Sequence, residues 1–153
     1  MSGDANAGVM VVLAAVIERD GRFLVTRRLK GTHLSGYWEF PGGKCEAGES
    51  HEACLARELV EELAVRADVG AELLVTEHAY PARTVRLHFR RCTISGEPQP
   101  LLGQEMRWVT REGMRSLEFP EADRDLIDLL VGVRPGSDQG QTGVRPGSDR
   151  GQT

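Results

Sequence analysis

The amino-acid sequence predicts a single α/β domain in which helices pack on a mixed sheet. The 153 residues are enough for one domain with a substantial core, and residues 1–131 are expected to form it. Apolar runs and alternating apolar and polar residues indicate several strands, and amphipathic patterns indicate helices. Strands and helices do not alternate regularly, so the sheet should contain both parallel and antiparallel pairs.

Five strands are predicted from these patterns. They cover about Val9–Glu18, Phe23–Arg27, Ala71–His78, Val85–Ile94 and Glu105–Val109. The first two flank the turn "ERDGR" and should form a hairpin. The fourth contains "VRLHFR", whose alternation is typical of a half-exposed strand. A short extended segment, "YWEF", is expected to end at Pro41, where Gly42 and Gly43 open a loop.

Two helices are predicted from the 3.6-residue period. The first should begin at the N-cap Ser50 and end near Leu63. Its three glutamates, Glu58, Glu61 and Glu62, fall within an arc of about 100°, opposite an apolar face. On this segment alone, the ordinary interpretation is a solvated helix face. The second helix is predicted in "ADRDLIDLLV", near the end of the domain.

The composition limits the expected partners and the compartment. The formal net charge is −4, so no basic field is available to attract a nucleic-acid polymer. The apolar run Val9–Ile17 is too short to cross a bilayer, and "MSGDANAG" before it lacks the basic residues of a secretory signal. Cys45, Cys54 and Cys92 are odd in number and form no C-x-x-C pair, so free thiols in a reducing cytoplasm are expected.

The last 22 residues, 132–153, consist of two 11-residue repeats. The copies "GVRPGSDQGQT" and "GVRPGSDRGQT" differ only at Gln139 and Arg150. Each copy is rich in Gly, Pro and polar residues and has a single Val, so it buries too little apolar surface to offset chain entropy. A disordered, duplicated tail is therefore predicted.

The helix glutamates belong to a longer spaced motif. The segment "GKCEAGESHEACLARELVEELAV", residues 43–65, resembles the Nudix box, G-x5-E-x7-R-E-U-x-E-E-x-G-U, where U is apolar. The matching fixed positions are Gly43, Glu49, Arg57, Glu58, Glu61 and Glu62. The probability of a chance match in this chain is on the order of 10⁻⁵. The second Gly of the box is Ala64 here, where we expect a cost of at most about 1 kcal/mol or a slightly longer helix.

The motif predicts a metal site for a polyphosphate ligand. Three carboxylates on one helix face repel one another unless a cation lies among them. Mg²⁺ prefers oxygen ligands and completes its coordination with substrate phosphates, and Mn²⁺ is the expected substitute. The resemblance implies metal ligands at Glu58, Glu61 and Glu62 and at the carbonyl of Gly42.

The resemblance also implies how the other residues of the motif contribute. Arg57 should orient the catalytic glutamates, while Gly43 and Glu49 should have structural roles. Glu58 and Glu61 are both candidates for the general base, and the sequence leaves this choice open.

Two flanking segments, "WEFPGGK" and "GEP…W…FP", resemble the MutT-type branch of the superfamily, the nucleoside triphosphate pyrophosphohydrolases. This resemblance spans about residues 8–131 and implies an α/β/α sandwich with a mixed sheet. The implied substrate contacts are Arg28, His33, Phe40 and Asp123. Arg27 is an alternative to Arg28, because neighbours on a strand face opposite ways. A loop histidine, a core phenylalanine and a helix-terminal aspartate are the structural alternatives for the other three.

Asp123 is the residue expected to contact the base edge. An ionised aspartate only accepts hydrogen bonds, which suits the amino group of cytosine or of a purine. In the family, enzymes that select oxidised guanine often have asparagine at this position, and cytidine-type members often have aspartate.

One position departs from the family pattern. MutT-type enzymes usually supply another glutamate from a loop, six residues before a late tryptophan, and here that position is Leu102, before Trp108. The nearest acid is Glu105. Because the helix glutamates can hold Mg²⁺ together with substrate oxygens and water, we expect catalysis to proceed without a loop glutamate.

The predicted function is Mg²⁺-dependent hydrolysis of a nucleoside triphosphate to a monophosphate and pyrophosphate. The resemblance implies clearance of modified nucleotides, with 8-oxo-dGTP or a CTP or dCTP type of substrate. The alternatives are hydrolysis of another nucleoside diphosphate derivative and a catalytically silent nucleotide-binding module. The sequence leaves monomer and homodimer both open.

Overall fold

The computed structural model describes residues 8–132 and contains seven strands and two α-helices within that range. The strands are β1 (Val9–Arg19), β2 (Arg22–Arg27), β3 (Trp38–Glu39), β4 (Gly42–Lys44), β5 (Arg66–Ala79), β6 (Thr84–Ser95) and β7 (Met106–Thr110). The helices are α1 (His51–Leu63) and α2 (Arg124–Val131), and short 3₁₀ helices cover Glu112–Ser116 and Glu121–Asp123.

The sheet is mixed, as predicted, and β1 is its central strand. The main strand order is β3-β2-β1-β6-β5, with β4 beside β1 and β7 beside β2. β1 pairs in parallel with β6, from Val9 opposite Thr84 to Ile17 opposite Cys92. It pairs antiparallel with β2 and β4. A strand with neighbours on both sides and helices on both faces is apolar throughout, which explains the run at the start of the chain.

One helix packs on each face of the sheet, so the α/β/α sandwich is confirmed. Leu13 and Ile17 of β1 belong to the core cluster that contains the buried leucines of α1. Val16 belongs to the other cluster, with Phe89 of β6 and Leu126 of α2. This division follows from the alternation of side chains along a strand.

The predicted bounds of α1 are correct. Ser50 is its N-cap, and the side-chain oxygen of Ser50 accepts a hydrogen bond from the backbone N–H of Ala53 at 3.1 Å. The buried residues of the helix are Cys54, Leu55, Leu59 and Leu63. The acidic residues lie on the remaining surface, as the helical period requires.

Two strand predictions are corrected by the structure. β5 begins at Arg66, directly after α1, whereas the sequence indicated Ala71; register shifts around Glu72 interrupt the alternation that would have revealed the earlier start. Gly42 and Gly43 belong to β4 and do not open a loop. A Cβ atom on Gly42 would lie 2.0 Å from the carbonyl oxygen of Leu13, so only glycine allows β4 to pair here.

The prediction of three free thiols is wrong for two of the cysteines. Cys45 and Cys54 are joined by a disulfide, with their Cα atoms 5.2 Å apart, and Cys92 is free and buried. The chain after β4 turns back along α1 and places Cys45 beside Cys54, a proximity that the spacing of the two residues does not reveal. The thiol argument for a reducing compartment therefore does not hold.

The predicted disordered tail lies outside the described residues, except for Gly132. Gly132 ends α2 in a left-handed conformation, with φ of 102°. Within the described part of the chain, no helix combines the length and the apolar character needed to span a membrane.

We predict that Ala64→Gly stabilises the protein. Helix α1 ends at Ala64, whose φ of 59° and ψ of 36° are left-handed, and its N–H donates to Val60 O. The helix therefore does not run longer, and Gly should raise the free energy of unfolding by about 0.5–1 kcal/mol in urea denaturation. The control Ala56→Gly, inside the same helix, should lower it by about 1 kcal/mol. A loss of stability in Ala64→Gly would contradict this.

Candidate active site

The guanidinium of Arg57 connects helix α1 to the segment that precedes it. Its Nε and Nη2 donate to the two carboxylate oxygens of Glu49, at 2.6 and 2.9 Å. Nη1 donates to Glu58 at 3.1 Å and to Glu61 at 3.3 Å, and Nη2 also donates to the carbonyl of Lys44 at 3.3 Å. One planar cation therefore fixes the segment and two carboxylates at once.

Glu49 is held as an anion by these contacts. The hydrogen bond from Arg57 is the main cause that lowers the pKa of Glu49 to about 2, and a backbone hydrogen bond from Glu46 N, at 2.9 Å, adds to it. Glu49 in turn raises the pKa of Arg57 above its already high value. The pair is thus ionised throughout the neutral range, and its contribution to stability is lost only as the pH falls below about 4.5 toward 2.

Glu58 and Glu62 lie close together next to β4. The carboxyl group of Glu58 packs on Gly43, where an added Cβ would lie 2.5 Å from its carboxyl carbon. Burial raises the pKa of Glu62, and the adjacent Glu58 raises it further, while a backbone hydrogen bond from Gly42 opposes this. Glu61 is separate from this pair, because its side chain is 57% exposed and bonds to Arg57.

A hard divalent cation fits this arrangement. The donors offered by Glu58 and Glu62 are all carboxylate oxygens, which such cations prefer. Two carboxyls forced together in a partly buried place repel each other when both are ionised, and a cation between them would remove that penalty. The glycines of β4 leave the space that a side chain would fill. Glu58 and Glu62 are therefore the residues that would hold the metal.

A cavity of about 490 Å³ lies beside these carboxylates. All four predicted substrate contacts line it together with metal-site candidates: Arg28, His33, Phe40, Asp123, Gly42 and Glu62. Its volume is in the range of small-molecule sites. The structure thus brings together residues that are up to 95 positions apart in the chain, as Arg28 and Asp123 are.

Arg28 and His33 lie on one wall of this cavity. Arg28 Nη1 donates to Glu39 at 2.9 Å, and its Nε donates to the carbonyl of His33. Arg27 also lines the cavity, but its guanidinium bonds to Glu105 at 3.2 Å. Because Glu39 lines the cavity and Glu105 does not, the guanidinium of Arg28 is the better placed of the two to meet a ligand from inside the cavity.

Phe40 is both a core residue and part of the cavity wall. Its side chain is buried, its ring stacks on Phe119 with centroids 5.5 Å apart, and it meets Phe89 edge-on at 6.0 Å. The two interpretations of this residue are therefore compatible, because packing on one side holds the other side against the cavity.

Asp123 is a buried carboxyl that faces the cavity. It is only 5% exposed, and it makes no side-chain capping bond to α2. Burial is the main cause that raises the pKa of Asp123 to about 7, and the charge of Glu39 adds to it. At neutral pH its carboxyl is therefore divided between an ionised form, which only accepts, and a protonated form, which also donates.

Two residues of this region were missed by the sequence interpretation. Glu39 lines the cavity, pairs with Arg28 and acts on the pKa of Asp123. Its position between Trp38 and Phe40 in the extended segment "YWEF" was the available signal. Gln104 is buried, donates to Glu62 O at 3.2 Å and accepts from Leu102 N at 2.9 Å. Gln104 thus connects the loop before β7 to the end of α1 by hydrogen bonds, and no sequence pattern predicted this.

Leu102 occupies the place where the family pattern has a loop glutamate. Its side chain lines the cavity and is 53% exposed. Glu105 does not line the cavity, and its carboxylate pairs with Arg27 at 3.2 Å and Arg107 at 3.3 Å. The structure therefore leaves the loop side of the site without a carboxylate.

Comparisons with known proteins agree with this geometry. The model of the NUDIX domain family matches residues 12–129. The CTP pyrophosphohydrolase of Escherichia coli is 36% identical over 124 residues, covering 80% of this chain and 92% of that protein. A putative 8-oxo-dGTP diphosphatase 2 of Mycobacterium tuberculosis is 35% identical over 129 residues, covering 83% and 92%. The solution structure of the E. coli ORF135 protein superimposes with a TM-score of 0.73 at 33% identity, covering 84% and 95%.

Proposed function

This chain belongs to the Nudix hydrolase family, and on that basis we propose that it hydrolyses a nucleoside triphosphate to the monophosphate and pyrophosphate in nucleotide-pool sanitation. One observation carries the proposal: the same cavity is lined by a carboxylate suited to a metal, Glu62, and by a buried carboxyl suited to a base edge, Asp123. Arg28 lines the same cavity and supplies a cation for the phosphates.

Mg²⁺ is the proposed metal, with Mn²⁺ as its substitute, because the donors are hard oxygens. When bound, the ion would neutralise charge on the phosphates and lower the pKa of the attacking water. Glu58 and Glu62 would hold it, with Glu61 and the Gly42 carbonyl as the further ligands that the family pattern implies. Arg57 positions the carboxylates through the bonds described above.

Proton removal from the attacking water falls to Glu58 or Glu61. Both are bonded to the same Nη1 of Arg57, so either is held in a fixed orientation. Arg57 is therefore a positioning residue, and Glu49 acts through it. A catalytically silent binding module would not need a general base held beside the metal ligands, so we favour the enzyme.

Two types of nucleotide are candidate substrates, one with a cytosine base and one with an oxidised guanine. The relatives named above are a CTP pyrophosphohydrolase and a putative 8-oxo-dGTP diphosphatase. Phe40 and the apolar wall provide a surface for the base, and Asp123 distinguishes the base edges. We further propose that the protein acts in the cytoplasm, on free nucleotides and not on nucleic-acid polymers, as a monomer or homodimer.

The direct test is a panel of canonical and modified nucleoside triphosphates and diphosphate derivatives, assayed with Mg²⁺ and Mn²⁺. Phosphorus NMR should identify a monophosphate and pyrophosphate as products from CTP, dCTP or 8-oxo-dGTP. Release of single phosphates, or a preference for diphosphate derivatives, would overturn the proposed reaction.

We predict that Glu62→Gln lowers kcat by at least about 100-fold, because a metal-ligand charge is lost in the transition state. The fold should be retained: the raised pKa of Glu62 means that the metal-free fold favours its protonated, uncharged carboxyl at neutral pH, and Gln resembles that form. Steady-state kinetics and thermal melting check both points. The exposed Glu112→Gln is the matched control, and near-wild-type turnover in folded Glu62→Gln would refute the role.

We predict that Glu105→Gln lowers kcat by less than about 10-fold, since its carboxylate does not line the cavity and is paired with Arg27 and Arg107. The measurement is a Mg²⁺ titration of turnover, run beside Glu62→Gln. Leu102→Glu, which adds a carboxylate on the cavity wall, should raise the apparent affinity for Mg²⁺. A loss for Glu105→Gln as large as that for Glu62→Gln would place Glu105 among the metal ligands.

We predict that Asp123→Asn changes the ratio of kcat/KM between CTP and 8-oxo-dGTP by about 10-fold or more, because hydrogen-bonding groups at the base edge change. The ratio in the unmodified protein should also change as the pH crosses about 7, where Asp123 loses its proton. Asparagine keeps a donor and an acceptor at every pH, so the variant should lose this transition. Equal losses on both substrates would indicate a purely structural role.

A further inference from the structure

A second cluster of metal-binding side chains lies away from the cavity. One ligand atom each from His51, Glu72 and His88 lies within 4.8 Å of the other two. His51 is the first residue of α1, Glu72 is on β5, and His88 is on β6. The neighbours of His88 on β6, Leu87 and Phe89, line the nucleotide cavity. His88 therefore faces the opposite side of the sheet, under α1.

The three side chains are already in mutual contact. His88 Nδ1 and a carboxylate oxygen of Glu72 are 2.7 Å apart. The imidazole rings of His51 and His88 have centroids 4.5 Å apart. The His88 side chain is 12% exposed and that of Glu72 is 41% exposed, so the cluster is held by packing on one side and open to solvent on the other.

Glu72 lies at an irregularity in β5, beside His51 and His88. Register shifts lie on both sides of Glu72, whose Cα partner on β6 is Arg90. Arg90 does not pair with Glu72; it donates to the carbonyl of Gly70 at 2.8 Å and to Glu52 at 3.2 Å. Among residues 8–132, His88 is the sole ion-pair partner of Glu72. Bulges commonly re-aim side chains at functional places, and here the result is a carboxylate beside two imidazoles.

The geometry points to a binding site for a zinc-class divalent metal at His51, Glu72 and His88. Two imidazole nitrogens and one carboxylate oxygen form a donor set that zinc uses with a fourth, open position for water. Tetrahedral zinc ligands lie about 3.4 Å apart, so small side-chain rotations suffice to close the present spacing. Mg²⁺ does not favour imidazole, so it would not compete for this site.

The site would join three elements at one point. A bound ion would tie β5 and β6 to the first turn of α1, the helix whose later turns carry Glu58 and Glu62. His51 and Glu58 are seven residues apart, or about 10 Å along the helix axis. The ion is therefore close enough to stabilise the position of the catalytic helix without entering the nucleotide cavity.

The test is a Zn²⁺ titration of the metal-free full chain against a chromophoric chelator, with millimolar Mg²⁺ present to occupy the oxygen-donor site. One Zn²⁺ per chain is expected. His51→Ala, His88→Ala and Glu72→Gln should each weaken binding by about 10-fold or more. His78→Ala is the matched control, because His78 is a half-buried histidine of β5 that lies outside the cluster, and it should bind as the unmodified protein does.

Two further measurements separate loss of zinc binding from loss of folding and locate the bound ion. Thermal melting without metal checks that each variant is folded, and added Zn²⁺ should raise the Tm of the unmodified protein but not of the folded cluster variants. NMR should show zinc-dependent shifts of the His51 and His88 ring signals. The proposal is overturned if the unmodified protein binds no Zn²⁺, if binding persists in all three variants, or if it is lost only in Glu62→Gln.

Discussion

The hydrogen bonds of the Arg57 guanidinium are the interaction on which the active site depends. They join the carboxylate of Glu49, ahead of the helix, to Glu58 and Glu61 on the helix. The contact with Glu49 is bidentate, so it fixes direction as well as distance. Without Arg57, the chain between β4 and α1 would lose its main polar contact with the helix. Glu58 and Glu61 would lose the guanidinium that orients both of them.

The cavity beside these carboxylates brings further carboxyl groups together, and ionising them there is unfavourable. Glu39, Glu62 and Asp123 all have pKa values raised first by burial, and each lies on the wall of the cavity. The wall also carries the cations Arg27, Arg28 and Lys44, but the carboxyls beside them would repel phosphate oxygens when ionised. A bound cation would remove that repulsion, so substrate binding and metal binding are coupled by electrostatics.

The two faces of the sheet have different roles. Leu87 and Phe89 of β6 face the nucleotide cavity, while His88 between them faces α1. Along one strand, the alternation of side chains therefore places the proposed substrate cavity on one side and the proposed zinc site, next to α1, on the other. The disulfide joins Cys54 of the same helix to Cys45, so it adds a covalent bond to the segment that Glu49 also anchors.

The sequence by itself determined the features that depend on local periodicity and spacing. Helix α1, its cap at Ser50, and the placement of Glu58, Glu61 and Glu62 on one face follow from residues within a few turns of one another. The mixed sheet also followed, because the order of elements excludes regular alternation. The family, too, is indicated by the spacing of the charged residues alone, since that spacing is a property of one continuous segment.

Only the tertiary structure decided the features that join distant parts of the chain. The pairing of β4 depends on Leu13 lying against Gly42, the disulfide depends on the fold of the segment after β4, and the site at His51 depends on two strands beyond the helix. The burial that raises the pKa of Asp123 likewise comes from the closed core and from Glu39. Such properties depend on which surfaces meet, and a local pattern carries no information about partners that are tens of residues away.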